Sequence, residues 1–204
     1  LTYAVPADAH PVFEIGLSLP AGGCLNVNSV RWDGEPTLTL TKPDHRGTMW
    51  RRAFVNGADV FDSRLESMRV IQNDGTGLLI QGTRDWRDYR VTADVTPHLA
   101  ESVALAGRVQ GMRRYYALRW RRDGELQLVR MLDEPTILAT TPFAWAFGET
   151  HNLTLQLNGS HISGLVDGQQ VFAVTDTVLD CGSVALAVEA GRSATQIIRV
   201  EPCH

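Results

Sequence analysis

Residues 151–175 read HNLTLQLNGSHISGLVDGQQVFAVT: three short runs of alternating apolar and polar residues, separated by Asn158-Gly159 and Asp167-Gly168. A two-residue hairpin turn of type I′ needs positive φ at both central positions, which Asn or Asp followed by Gly tolerates best. In the first run Leu153, Leu155 and Leu157 fall on one side and Thr154 and Gln156 on the other, the period of two of a strand that buries one face. The stretch predicts strand, tight turn, strand, tight turn, strand.

The same punctuation recurs at Asp33-Gly34, Asn56-Gly57, Asp74-Gly75 and Asp123-Gly124. Strand-like runs continue between these pairs, from VFEIGLSL (Val12 to Leu19), CLNVNSVRW (Cys24 to Trp32) and Thr37 to Thr41, through MWRRAFVN, ESMRVIQ, GLLIQGT and YRVTADV, to GSVALAVEA and TQIIRVE. That makes about fifteen strands, with helical periodicity confined to one short turn expected at His98 to Val103. Regular short strands with no room for a βαβ crossover predict an all-β fold, a two-sheet antiparallel jelly-roll sandwich. Pro43 and the polar residues to Gly47 suggest a division into an N-terminal β segment, residues 1–47, and a main sandwich, residues 48–204.

With 204 residues, 44% of them hydrophobic, the chain can bury a full core. Its formal net charge of −4 gives no basic field, so neither nucleic acid nor an acidic membrane surface is an expected partner. No apolar run of about 18 residues is present. Three widely spaced cysteines, Cys24, Cys181 and Cys203, lack CxxC or zinc-finger spacing, which favours a reducing, cytoplasmic setting over a disulfide scaffold.

From Met49 onward, the segments MWRRAFVNG, GLLIQGTRDWRDYRVTADVTPHLAESVALAGRVQGMRRYYALRW, HNLTLQLNGSHISGLVDG and CGSVALAVEAGR resemble a concanavalin A-like lectin/glucanase sandwich. In particular they resemble the all-β domain that follows the catalytic domain in some bacterial proteins of the ADP-ribosylglycohydrolase (crystallin J1-related) group. The resemblance implies an accessory or carbohydrate-binding module of a hydrolase, with an intramolecular contact to a catalytic domain. That family's helical enzyme domain and its magnesium-holding carboxylates have no counterpart here, so no catalytic residue, metal ligand or cofactor is carried over. FEIGLSL and LNVNSVRWDG resemble the last strands of a galactose-binding-like jelly roll, with Asn28 where that pattern has Asp.

Sugar recognition needs aromatic rings for pyranose faces and Arg, Asn, Gln or Asp for hydroxyls, gathered on one surface. If SVALAGRVQ and RYYALRWRR pair through Gly111 to Arg113, then Arg108, Gln110, Tyr115 and Arg119 share a face, with Trp86 of Asp85-Trp86-Arg87-Asp88-Tyr89 at its rim. These five are the candidate ligand-binding residues. Six arginines between Arg108 and Arg122 leave a phosphate or ADP-ribose-like ligand open beside an oligosaccharide. Glucanases of this fold set two acids on alternate residues of one strand, and no E-x-D-x-E pattern occurs. The six histidines are scattered, and only His151 and His161 are within reach of one hairpin. Two other readings stay open: a glycoside hydrolase-like enzyme acting on modified sugars through loop acids, and a structural or interaction domain.

Overall fold

The computed structural model describes residues 2–5, 12–44 and 47–203. Fourteen strands and one 3-10 turn follow in chain order: β1 Leu38–Thr41, the turn Met49–Ala53, β2 Val55–Gly57, β3 Val60–Asp62, β4 Met68–Gln81, β5 Tyr89–Leu99, β6 Ser102–Gly111 and β7 Arg114–Arg121. Then come β8 Glu125–Leu132, β9 Glu134–Pro142, β10 His151–Asn158, β11 His161–Val166, β12 Gln169–Thr175, β13 Ser183–Thr195 and β14 Ile197–Pro202. All pairings are antiparallel. One sheet runs β12-β11-β10-β5-β14-β1, and the other runs β9-β8-β7-β6-β13-β4 with β2 and β3 on the outer edge of β4.

The two sheets are continuous at one corner, where the end of β13 (Arg192 to Ala194) pairs with the end of β5 (Thr96 to Leu99). β13 turns that corner between Glu189 and Gly191, where its register with β4 shifts and Ala190 has φ 40°. Here the chains approach so closely that a Cβ on Gly191 would collide with the Leu99 carbonyl and the Ala100 Cα, so only glycine fits.

Side chains of alternate parity fill the space between the sheets. Leu153, Leu155 and Leu157 of β10, Tyr89, Val91, Ala93 and Val95 of β5, and Leu105, Leu118, Trp120 and Leu126 of the opposing sheet are all buried in one cluster. Burying such a side chain stabilises the fold by roughly 1.5–3 kcal/mol, which is why the period of two fixes the register. Thr92 and Thr154, on the other face, pair across the strands at 3.0 Å.

Several local expectations are corrected. Three of the six Asn/Asp-Gly pairs lie in hairpin connections: Asp123-Gly124 between β7 and β8, Asn158-Gly159 between β10 and β11, and Asp167-Gly168 between β11 and β12. Asp167 and Gly168 both have positive φ, 50° and 77°, as type I′ requires. Asp74-Gly75 instead lies inside the long strand β4, in the bulge that sets residues 73–75 against Ala190 of β13, and β2 and β3 flank the same strand rather than each other. Met49–Ala53 is a 3-10 turn that buries Trp50 rather than a strand, and no helical turn forms at residues 98–103. Residues 12–32 contain no strand, and their apolar side chains, among them Ile15, Leu17, Val27 and Trp32, are exposed. β1, expected with that segment, pairs with β14 in the sandwich. All three cysteines are unbridged.

Candidate functional site

The outer face of the β9-β8-β7-β6-β13-β4 sheet can be read row by row from its register. One row runs Leu78, Ala187, Ala104, Arg119, Gln127, Thr140, and the next runs Ile80, Ala185, Ala106, Ala117, Val129, Ile137. Five alanines thus form a low floor. Beyond it on one side stand Tyr115 and Met131, which are register partners, and on the other Thr76, Glu189 and Ser102. Between them lies a shallow depression of about 20 Å³, lined by Thr76, Ser102, Tyr115, Arg119 and Met131 over the alanines. Such a surface suits a ligand that lies along it rather than one that is engulfed.

The polar groups of this face hold one another in place. Arg119 donates to Gln127 Oε1 from Nη2 at 2.6 Å and from Nε at 3.2 Å, Gln127 Nε2 donates to Glu125 at 2.7 Å, and the Ser102 hydroxyl donates to Glu189 at 2.7 Å. Partial burial lowers the Arg119 pKa from its ordinary value, and Glu189 opposes the shift. Burial raises the Tyr115 pKa, Arg119 opposing. Arg119, held by Gln127, and Glu189, held by Ser102, thus stand on β7 and β13 with β6 between them, each engaged by its own neighbour in a partly desolvated setting where hydrogen bonds to hydroxyl groups are strengthened.

Arg108 and Gln110 do not join this face. The expected face-sharing fails because β6 bulges after Gly107, with Arg108 at φ 48°, and the shift places Val109 beside Tyr115 among the alanines. Arg108 is 1% exposed. Its guanidinium donates to the Leu179 carbonyl at 2.9 Å, to the Arg87 carbonyl at 3.3 Å and to Asp88 Oδ1 at 3.3 Å. Its backbone N–H donates to the hydroxyl of buried Tyr89 at 2.6 Å, and that hydroxyl in turn donates to the Gly182 or Ser183 carbonyl. Burial pushes the Tyr89 pKa up, so the phenol stays protonated in this role. Gln110 donates to the Cys181 carbonyl at 2.9 Å. Tyr115 lies where parity predicts, but it is 4% exposed and packed among small side chains, so it is a wall of the furrow rather than an open stacking platform. Trp86 is half-buried, packed edge-on against Tyr89 at 6.0 Å and over Gly82, instead of standing free at the rim.

Arg108 instead borders a second and larger cavity, of about 200 Å³, at the end of the sandwich. Its wall on the β12–β13 side is fixed by Asp176, which accepts from the Tyr116 hydroxyl at 2.5 Å, from Arg130 at 2.5 Å and from the Val178 N–H at 2.9 Å. Burial raises the Asp176 pKa, but these three donors outweigh it and hold the carboxyl below its ordinary value of 3.8. Tyr116, desolvated and bonded to that carboxylate, is pushed up to about 12. Tyr116 and Arg130 are register partners on β7 and β8, but no sequence signal joins them to Asp176, which lies in the β12–β13 loop. His151 and His161 lie at opposite ends of the β10–β11 hairpin, and His10, His45 and His204 lie outside the described residues. Among the described residues, no group of three or more His, Cys, Asp or Glu side chains is arranged to hold a metal ion.

No protein family model matches the chain, and no curated protein sequence matches it. Solved structures do. The chain is similar to the carbohydrate-binding module CBM66 of Bacillus subtilis, with a TM-score of 0.67 at 14% identity over 73% of this chain and 95% of that one. The fold is a lectin-like jelly roll. This jelly roll is also similar to a protein of unknown function with a galectin-like fold from Bacillus subtilis (TM-score 0.60, 12% identity, 77% and 92% covered). A Bacillus licheniformis β-glucanase is similar as well (TM-score 0.56, 9% identity, 84% and 100% covered). At such identities what is shared is the all-β antiparallel sandwich of concanavalin A-like and galectin-like proteins, and sites must be argued from this chain's own residues.

Proposed function

We propose that this chain is a non-catalytic carbohydrate-binding module that lays a neutral oligosaccharide along the outer face built on β4, β13, β6, β7 and β8. The observation that carries this is the alanine floor, with Tyr115 and Met131 on one side, Ser102 and Glu189 on the other, and Arg119 and Gln127 continuing one of its rows. The small side chains keep this face low, so that a sugar ring would lie over it rather than within it, and the flanking groups offer both donors and acceptors to its hydroxyls. Solved proteins of similar fold include a carbohydrate-binding module and a β-glucanase.

The acids on this face favour binding over hydrolysis. Glu189 and Glu125 stand on strands separated by β6 and β7, about 14 Å at the usual strand spacing, whereas paired glycosidase carboxylates lie roughly 5–9.5 Å apart. In this reading the parent protein is a hydrolase of the ADP-ribosylglycohydrolase group, and residues 12–32, whose apolar side chains are exposed, belong with a neighbouring unit or with the contact to its catalytic domain, while β1 stays with the sandwich.

Affinity electrophoresis and calorimetry against β-glucan, xylan, arabinan and galactan test the reading. Binding to at least one glycan is expected, weakened about tenfold by Arg119→Ala and Gln127→Ala while thermal unfolding stays cooperative. Binding untouched by both substitutions, or none at all, overturns it.

A further inference from the structure

The cavity at the end of the sandwich is assembled from four separate pieces of chain. Arg87 and Asp88 come from the β4–β5 loop, Arg108 from the β6 bulge, Gly159 and Ser160 from the β10–β11 turn, and Thr177, Leu179 and Asp180 from the β12–β13 loop. Each piece is anchored: Asp88 Oδ1 accepts from the Gly159 N–H at 2.7 Å as well as from Arg108, and the Leu179 N–H donates to Tyr116. The Arg108 side chain is 2% exposed, yet a guanidinium has five N–H donors and only three donor atoms are used, one bond each. A buried, fully charged group held in position at the edge of an open cavity is costly unless its charge is compensated, and here Asp88 compensates it.

The charges of the cavity balance. Two guanidinium groups, Arg87 and Arg108, face two carboxylates, Asp88 and Asp180, and Arg87 and Asp180 pair across the mouth at 2.5 Å. A net-neutral lining gives no preference for a phosphate, which would meet two carboxylates. It does suit hydroxyl groups, each of which donates to a carboxylate and accepts from a guanidinium at the same time. The Ser160 and Thr177 side chains and the Leu179 side chain complete a partly apolar wall. At about 200 Å³ the cavity is smaller than the roughly 300–1,000 Å³ of drug-sized ligand sites, and therefore has room for one sugar ring rather than a run of them.

We infer that this cavity is a second carbohydrate site, which takes a single neutral sugar unit through its vicinal hydroxyls, gripped between the Asp88/Asp180 carboxylates and the Arg87/Arg108 guanidinium groups. It goes beyond the proposed outer-face site, shares no residue with it and stands without it.

The test uses the full chain, ¹⁵N-labelled, titrated with the methyl glycosides of glucose, galactose, xylose and arabinose, with inorganic phosphate and ADP-ribose in parallel. Millimolar binding of at least one glycoside is expected, with amide shifts centred on Gly159, Ser160 and Leu179. Asp180→Ala, at an exposed ion pair, and Thr177→Trp, which fills an exposed position of the wall, should each weaken that binding at least tenfold, and Arg119→Ala should leave it unchanged. Shifts confined to the outer face, a response to phosphate or ADP-ribose alone, or no response to any glycoside overturns the inference. Oligosaccharide binding lost in Arg119→Ala but kept in Thr177→Trp would separate the fate of the outer-face site from that of this one.

Discussion

Residues 12–32 and residues 151–175 carry the same kind of sequence, alternating apolar and polar side chains broken by glycine-containing turns, and they end in opposite states. In the second region each strand finds partners: β10 lies between β5 and β11, and its leucines are fully buried. In the first no strand forms, and Ile15, Leu17, Leu25, Val27 and Trp32 are exposed. Alternation is a statement about which side of a strand would be buried. It supplies neither the neighbouring backbone nor the opposing sheet, and without them the entropy of ordering is not recovered.

That contrast can be broken most forcefully at Leu155. Leu155→Ala should cost about 2–5 kcal/mol in chemical denaturation, because the side chain is buried at the centre of the core. Tyr89→Phe should cost about 1–3 kcal/mol, since it leaves the Arg108 N–H and a Gly182 or Ser183 carbonyl without their buried partner; it tests whether the bulge end of the sandwich is fixed as firmly as its middle. Asp176→Asn should cost about 1–2 kcal/mol at neutral pH and change the acid profile. Because the native carboxyl titrates below its ordinary value of 3.8, its stabilisation is complete above that value and fades as pH falls through the lowered one. Unfolding curves from pH 6 to 2 should therefore be flatter in the variant, and parallel profiles would show that the carboxylate contributes nothing.

The smallest effect belongs to the exposed region. Leu17→Ala should change stability by less than about 0.5 kcal/mol. A loss comparable to that of Leu155→Ala would mean that the N-terminal strands are paired in solution and would erase the contrast.

The parts of the molecule legible in its sequence are those governed by local rules. The hairpin β10–β11 and the joining of β6 to β7 through residues 112–113 follow from turn chemistry and period, and parity alone puts Tyr115 and Arg119 on one face. Arg108 was not placeable, since a single residue in a left-handed conformation reverses which face follows it, and only Gly107 hints at the irregularity. Asp74-Gly75 carries a hairpin's signature but serves a bulge, because β4 has one continuous partner in β13 and the chain need not turn back. The cavity around Asp88 and Asp180 draws on four distant segments, each unremarkable by itself. Its contacts follow from how the loops meet, which no window of residues contains.

The pairing of β1 with β14 has a mechanical consequence. Leu38 lies opposite Val200 and Thr41 opposite Ile197, so the strand entering the sandwich and the strand leaving it run in opposite directions, side by side. Tension applied between residues 38 and 200 would draw both strands from the same end and part them one bond pair at a time, like a zip, instead of loading the whole ladder at once in shear. A pulling experiment should accordingly find a low first rupture force, with β1 peeling away before the core behind β5 and β10 gives.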